Sequence, residues 1–409
     1  MLGAIADDFT GATDLATMLR RSGHRVAVVI EDADPGAAAF DDIDAVVVAL
    51  KTRTSPAAEA VDSSLLALER LRSWGADRFY FKYCSTFDST DDGNIGPVLD
   101  ALSGSLGARR TVVVPSLPAN GRTVAEGRLF VGGELLENSP MRHHPLTPMT
   151  RSRVADLLRP QTSHGVTEVH LAAVRSGVEG LAAALAGLDD PLVVVDATTD
   201  DDLATIGAAT RTDVLVSGGS GLALGIPGPG LADTGWHAPE PGGRLVLCGS
   251  VSEATRRQID AATDISPVRS IDLDRAALDA ETEITAIVSW VRAQDPAVAP
   301  IVCAARTSDD IRTSVDGVDT APLVESVLTA VARALVTSGD VTAVIVAGGE
   351  SSGAVVRGLG VETLRIGPEL APGVCWATTD IADGTVALAL KSGNFGADDL
   401  FLSAWEKLA

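Results

Sequence analysis

Short apolar runs rich in β-branched residues recur at 3–6, 26–30, 45–50, 78–82 and 111–114, and again at 169–171, 192–195 and 214–217. Most are followed by a polar turn and then by apolar positions at helical spacing, as at 15–21. Strand, turn and helix in alternation predict an open, mostly parallel α/β sheet. From Gly225 to Gly243 the pattern stops, because Pro and Gly are denser there than helix or strand tolerates. It restarts with apolar runs at 245–248, 301–304, 342–347, 363–366 and 386–390, separated by helical stretches such as 324–336. The expected fold class is therefore α/β, with two α/β domains and mainly parallel sheets. Residues 1–230 and 244–409 would form the domains and 231–243 a Pro/Gly-rich linker. A length of 409 residues agrees, since single cores stop growing well below that size.

Composition narrows the partners. A net charge of −23 opposes extended contact with phosphate backbones, so nucleic acid is not expected. Mean hydropathy is +0.22, yet the apolar residues are dispersed and no run approaches the 18 or so that a spanning helix needs, so no membrane contact is expected. The N-terminus lacks a basic region and reaches Asp7 and Asp8 within its first turn, unlike a signal peptide, which makes the cytoplasm the expected compartment. Cys84, Cys248, Cys303 and Cys375 are far apart and match no zinc spacing, so reduced thiols and no side-chain metal ligands are expected. The oligomeric state stays open, a homodimer included.

In open α/β sheets ligands sit outside the carboxyl ends of strands. After the first run come Asp7-Asp8-Phe-Thr-Gly, two carboxylates beside a Thr-Gly turn, either able to act as a general base or simply to cap a helix. After the third comes Lys51-Thr-Arg-Thr-Ser-Pro56, where Arg53 can grip a carboxylate with two parallel bonds. After the fourth comes Lys82-Tyr-Cys-Ser-Thr-Phe-Asp-Ser-Thr-Asp-Asp-Gly-Asn-Ile-Gly-Pro97, with hydroxyls at Ser85 and Thr86 and glycines at Gly93 and Gly96 that would let backbone N–H groups approach a ligand. After the fifth, Asn120-Gly-Arg122 adds another cation. Only four of the 32 basic residues are lysines, Lys51, Lys82, Lys391 and Lys407, so a lysine at a strand tip is chemically pointed. These loops suit a small polyhydroxy acid. His143 and His144 lie in a proline-rich stretch with no carboxylate at metal-ligand spacing.

Beyond residue 243 three glycine turns follow strands: Gly249-Ser-Val-Ser, Gly348-Gly-Glu-Ser-Ser-Gly353 and Lys391-Ser-Gly-Asn-Phe-Gly396. Turns that feed a helix N-terminus expose unpaired N–H groups to phosphate. There is no P-loop pattern, and Gly218-Gly-Ser-Gly221 lacks dinucleotide-loop spacing, which demotes an NAD(P)-dependent sugar-acid dehydrogenase.

These motifs, together with Met141-Arg-His-His-Pro145, resemble over essentially the whole chain the four-carbon acid sugar kinases, and the Cys84–Thr90 wording resembles the branch acting on 3-oxo-tetronates. Ser351 stands where that pattern would have threonine, with the hydroxyl kept. The resemblance implies that the first domain binds the sugar acid, the second binds ATP with Mg2+, and the active site lies in the cleft between them. It implies ATP contacts at Ser250, Gly348, Gly349, Glu350, Ser351 and Gly393. For the acceptor, the loops themselves lead us to expect Arg53, Lys82 and Arg122 on the carboxylate, Ser85, Thr86, Gly93 and Asn94 as further substrate contacts, and Asp8 ahead of Asp7 as base, with Asp88, Asp91 and Asp92 as rivals. A D-threonate or D-erythronate kinase and a non-catalytic sensor of sugar acids are the alternatives.

Overall fold

The computed structural model describes residues 1–144, 147–233, 235–382 and 384–408. Pro145 of the His143–His144 stretch and Thr234 of the expected linker lie outside them. The chain divides into two compact units, Met1–Gly235 and Trp236–Ala409.

In the first unit, β1 (Leu2–Ala6), β2 (Val26–Ile30), β3 (Ala45–Ala49), β4 (Arg78–Lys82) and β5 (Thr111–Val114) are buried almost throughout, which is why they read as continuous apolar runs. A small antiparallel sheet of β6 (Arg122–Ala125), β7 (Arg128–Val131) and β8 (Glu134–Leu135) follows. Then come β9 (Val166–Val169), β10 (Leu192–Val195) and β11 (Leu215–Gly218). The main sheet runs β2-β3-β1-β4-β11-β5-β10-β9 with every pair parallel. Leaving β1 the chain goes to one side of it, through helix α1 (Phe9–Arg21), and leaving β4 it goes to the other. The carboxyl ends of β1 and β4 therefore form a topological switch point, the place where such sheets bind ligands. Helices α2 (Ala57–Ser73) and α3 (Ile95–Leu106) cover one face through Leu68, Leu71, Leu99 and Leu102.

The second unit has β12 (Gly243–Cys248), β13 (Val268–Ser270), β14 (Ile301–Cys303), a hairpin of β15 (Ser314–Val315) and β16 (Val318–Asp319), β17 (Val341–Ala347), β18 (Thr363–Ala371), β19 (Val374–Ile381) and β20 (Gly384–Lys391). Its sheet order is β13-β14-β12-β17-β20-β19-β18, parallel through β20 and antiparallel beyond. Leaving β12 the chain moves to the β14 side of the sheet and leaving β17 to the β20 side, so a second switch point arises there. Among its helices are α4 (Glu253–Ala262), α5 (Thr320–Thr337) and α6 (Gly349–Gly358). By length and composition α5 could cross a bilayer, but its Val324, Val327, Leu328, Val331 and Leu335 are buried within the unit.

Several expected boundaries shift. The run at 169–171 is instead the end of β9, and Leu171 opens a short helix. The first helix starts at Phe9, not near Leu15, because Asp8 caps it. Residues 231–243 are no free linker: the Leu231 N–H donates to the Gly23 carbonyl at 3.1 Å, while Trp236 packs on Gly367 and Gly243 opens β12.

Candidate active site

The register sets Ala6 of β1 level with Ala49 of β3 and Lys82 of β4, so three loops open at one end of the sheet. The Thr52 and Arg53 N–H groups donate to the Asp7 carbonyl at 2.9 and 3.0 Å, hanging the third loop on the tip of the first strand. Arg53 then grips Asp7 with Nε to Oδ2 at 2.9 Å and Nη2 to Oδ1 at 2.8 Å, and Nη2 also reaches Asp8 Oδ1 at 2.7 Å. Asp8 Oδ1 accepts the Gly11 N–H at 2.8 Å as the α1 cap. Lys82 is buried, and its Nζ donates to the Tyr83 carbonyl at 2.9 Å. A methyl group on Gly11 would stand 2.3 Å from Asp8 Oδ1, 3.0 Å from Lys82 Nζ and 3.5 Å from Arg53 Nη2. The three charged groups thus converge on one bare Cα, a position that only glycine can fill.

The cluster holds two carboxylates and two cations, which balance when all are ionised. Burial raises the Asp8 carboxyl above its ordinary value and the nearby Asp7 charge raises it further, against the pull of Arg53, Lys82 and the Gly11 N–H. Burial also works against the Arg53 charge, but Asp7 and Asp8 more than offset it and hold the guanidinium well above its ordinary value. Both Asp7 oxygens are engaged by Arg53, whereas Asp8 Oδ2 and Arg53 Nη1 have no hydrogen-bond partner among the described residues.

Other expected contacts take different roles. The Gly93 N–H is engaged by the Thr90 carbonyl at 3.0 Å, and the Gly96 N–H by Gln161 Oε1 at 3.3 Å. A side chain at either glycine would collide with Ser89 or Gln161, so close packing alone requires glycine at both positions. Asn94 is buried, and its Nδ2 donates to the carbonyls of Thr52 at 2.7 Å and Ser55 at 3.0 Å, bracing the loop that carries Arg53. Thr86 Oγ1 pairs with Cys84 Sγ at 2.9 Å, and Ser85 lies beside Gly219. Arg122 starts β6 and bonds the Asn120 carbonyl, with its buried Nε unpartnered; no contact joins it to Arg53 or Lys82. Of the rival bases, Asp91 is exposed and paired with Arg151, Asp92 is exposed, and Asp88 keeps a buried unpartnered Oδ1. His144 Nδ1 accepts the Thr147 N–H at 3.1 Å, a local turn contact. Sequence reasoning missed Gly11 and Gln161, since their value comes only from which chain segments they touch.

In the second unit the three glycine turns meet. A Cβ on Gly249 would fall 2.0 Å from Ser351 Oγ, one on Gly393 2.3 Å from Ser250 Oγ, and one on Gly348 3.1 Å from the Ser250 nitrogen. Gly348 has φ +130°, a region closed to L side chains. No side chain caps α6, so the N–H groups of Gly349, Glu350 and Ser351 have no acceptor inside the helix. The turns line a cavity of about 430 Å³ that also takes in an apolar slot of Leu273, Ala304, Ala305, Ile311 and Val324, interleaved with polar Asp310, Arg312, Thr313, Asp319, Thr320 and Glu325. Unpaired backbone N–H groups and apolar side chains in one cavity suit a nucleoside phosphate. The slot was invisible in the sequence because its five residues come from four separate segments.

Residues 2–226 match a sugar-binding N-terminal domain and residues 245–401 a nucleotide-binding C-terminal domain. The chain belongs to the family that joins these two domains. It is 44% identical to a 3-oxo-tetronate kinase of Burkholderia multivorans and 43% identical to one of Pseudomonas savastanoi pv. phaseolicola, in each case over 100% of this chain and 97% of the relative. A 3-oxo-tetronate kinase of Escherichia coli K12 is 41% identical over 91% of this chain and 98% of its own. Among solved structures, a Haemophilus influenzae protein shares the fold with TM-score 0.88 and 37% identity over 100% of both chains. A Salmonella typhimurium LT2 protein described as a tRNA synthase gives TM-score 0.91 and 39% identity over 98% of both chains.

Proposed function

We propose that this protein transfers the γ-phosphoryl group of ATP to the 4-hydroxyl of a 3-oxo-tetronate, giving the 4-phosphate and ADP. The observation that carries this reading is the Asp8–Arg53–Lys82 cluster at the β1/β4 switch point of the sugar-binding unit, a site with one free carboxylate oxygen among cations. The 3-oxo-tetronate kinases that share its full length support the choice of acceptor. The tRNA synthase description of one structural neighbour does not suit a chain of net charge −23.

Phosphoryl transfer asks of the protein alignment, charge neutralisation and a proton acceptor. Arg53 Nη1 and Lys82 Nζ hold the substrate carboxylate, with Arg122 as a third cation. Asp8 Oδ2 accepts the proton of the 4-hydroxyl as its oxygen attacks the γ-phosphorus and the bond to ADP breaks. Asp7, locked by Arg53, keeps that guanidinium in place. The Gly349, Glu350 and Ser351 N–H groups and the Ser250 hydroxyl receive the phosphates, and the Leu273–Val324 slot receives the base. Mg2+, when bound with ATP, would neutralise phosphate charge.

A coupled ADP-release assay over a panel of four-carbon acids tests this. ADP should appear with 3-oxo-tetronates and not with D-threonate or D-erythronate. Release only with the latter two would move the substrate to the other branch, and release with none would overturn the kinase reading. NAD(P)H formation from any acid would revive the dehydrogenase alternative.

A further inference from the structure

Lys391 is the last residue of β20, and its side chain is 1% exposed. Its Nζ donates to Thr255 Oγ1 at 3.2 Å and to the Gly393 carbonyl at 3.1 Å, and it lies 5.9 Å from the centre of the Phe401 ring. The same carbonyl accepts from Ser252 Oγ at 2.8 Å and Thr255 Oγ1 at 2.9 Å. One carbonyl oxygen thus carries three donors, one of them charged, and the residue that bears it lines the nucleotide cavity. No carboxylate pairs with Lys391 among the described residues. A buried ammonium without a counter-ion is costly, and an anionic ligand would offset that cost.

We propose that Lys391 is a positioning residue for the nucleotide. With Ser252 and Thr255 it holds the Gly393 carbonyl inward, so that the N–H at the other side of the same peptide unit, that of Asn394, is presented to a phosphate whose charge the Lys391 ammonium balances. In a planar trans peptide the C=O and the following N–H point in opposite directions, so a clamp on one aims the other. The Asn394 N–H has no acceptor among the described residues, whereas the Phe395 N–H closes the turn on the Ser392 carbonyl at 3.1 Å. The inference rests on the nucleotide reading of the cavity and adds to it a residue outside the cavity wall.

Burial lowers the Lys391 ammonium to about 8, with Cys248 acting weakly the other way. The groups facing it are Cys248 from β12, Ser252 and Thr255 at the head of α4, and the Phe401 ring from the helix Leu400–Ser403. Burial holds the Cys248 thiol well above its ordinary value, with Cys303 adding to it, so neither hydroxyls, ring nor thiol titrates near Lys391. The ammonium is charged below its pKa, so its hold on the carbonyl and on phosphate is present at neutral pH and lost as pH rises.

Calorimetric titration of the full-length protein with ATP between pH 7.0 and 9.5 tests this without any turnover. ATP phosphates are already fully ionised over most of that range, so a change in affinity reports the protein. The wild-type Kd should stay level to about pH 8 and then weaken roughly tenfold by pH 9.5, since a neutral amine loses the charge-assisted part of the contact. Lys391→Met should bind about tenfold more weakly at pH 7 and show no such pH dependence, with an apo Tm no lower than wild type. A Met variant that loses Tm but keeps wild-type affinity and pH profile would overturn the proposal. Should that variant fail to fold, a flat wild-type profile to pH 9.5 overturns it equally. Wild-type protein that binds no ATP at all would instead sink the nucleotide reading, and this inference with it.

Discussion

Asp7 and Asp8 are neighbours of identical chemistry, and the fold separates their work. Successive residues leaving a strand face opposite ways, so Asp7 turns into a two-point grip by Arg53 while Asp8 turns to the head of α1 with one oxygen left free. The pair itself was visible in the sequence. Which member is free was not, because the deciding partner, Arg53, is 46 residues away from Asp7. Asp8→Asn should cut kcat by about 10²- to 10⁴-fold, the usual contribution of a general base, while calorimetry shows ATP binding unchanged. In the wild type the active form of Asp8 is the carboxylate, so kcat falls as pH drops through its pKa. Burial raises that pKa, which places the acid limb of the pH–rate profile above the 3.8 of an ordinary aspartate, and the limb should vanish in Asp8→Asn. A near-normal kcat in the variant would remove Asp8 from the base role.

The strands that carry the two switch points were read from the chain closely, because buried parallel strands leave uninterrupted apolar runs. Helix starts were harder. Both α1 and α6 begin in Gly- and Thr- or Ser-containing turns whose low helical propensity masks them, and only the cap geometry shows that the helix has begun. Strand β13 and the small β6–β8 sheet escaped for a different reason: their half-buried or charged positions break the apolar run. The loop carrying Gly93 and Asn94 was recognisable as important, yet its hydrogen bonds turn inward to the Arg53 loop. Asn94→Ala removes the Nδ2 bonds to the Thr52, Arg53 and Ser55 carbonyls and should lower stability by about 1–3 kcal/mol. With its brace gone Arg53 should wander, so KM for the sugar acid should rise several-fold and kcat fall, with ATP affinity unmoved. Loss of Tm with unchanged KM would show that the brace does not reach the site.

Each unit has its own buried cluster, one around Leu68, Leu99 and Val194 and the other around Ile345, Trp376 and Phe401, and each has its own switch point. Two anionic ligands must nevertheless be drawn to a chain of net charge −23. The sequence settled that tension only in outline, through three cationic loops and three glycine turns. The structure supplies local answers: cations converging on Gly11 in one unit, and backbone N–H groups with a buried ammonium in the other. If the two sites draw on separate cores and separate charges, a defect in one should leave the other's ligand binding intact. Lys82→Met removes a cation from the first site, so sugar-acid turnover should fall by about 10²-fold or more while the calorimetric Kd for ATP stays within about twofold of wild type. Gly348→Ala does the reverse. It forces a side chain into φ +130° and to 3.1 Å from the Ser250 nitrogen, so ATP binding should be lost while the sugar acid still raises Tm. Should Lys82→Met weaken ATP binding as much as it weakens turnover, the division of labour between the units would be wrong, and Lys82 would have to be reassigned to the phosphates.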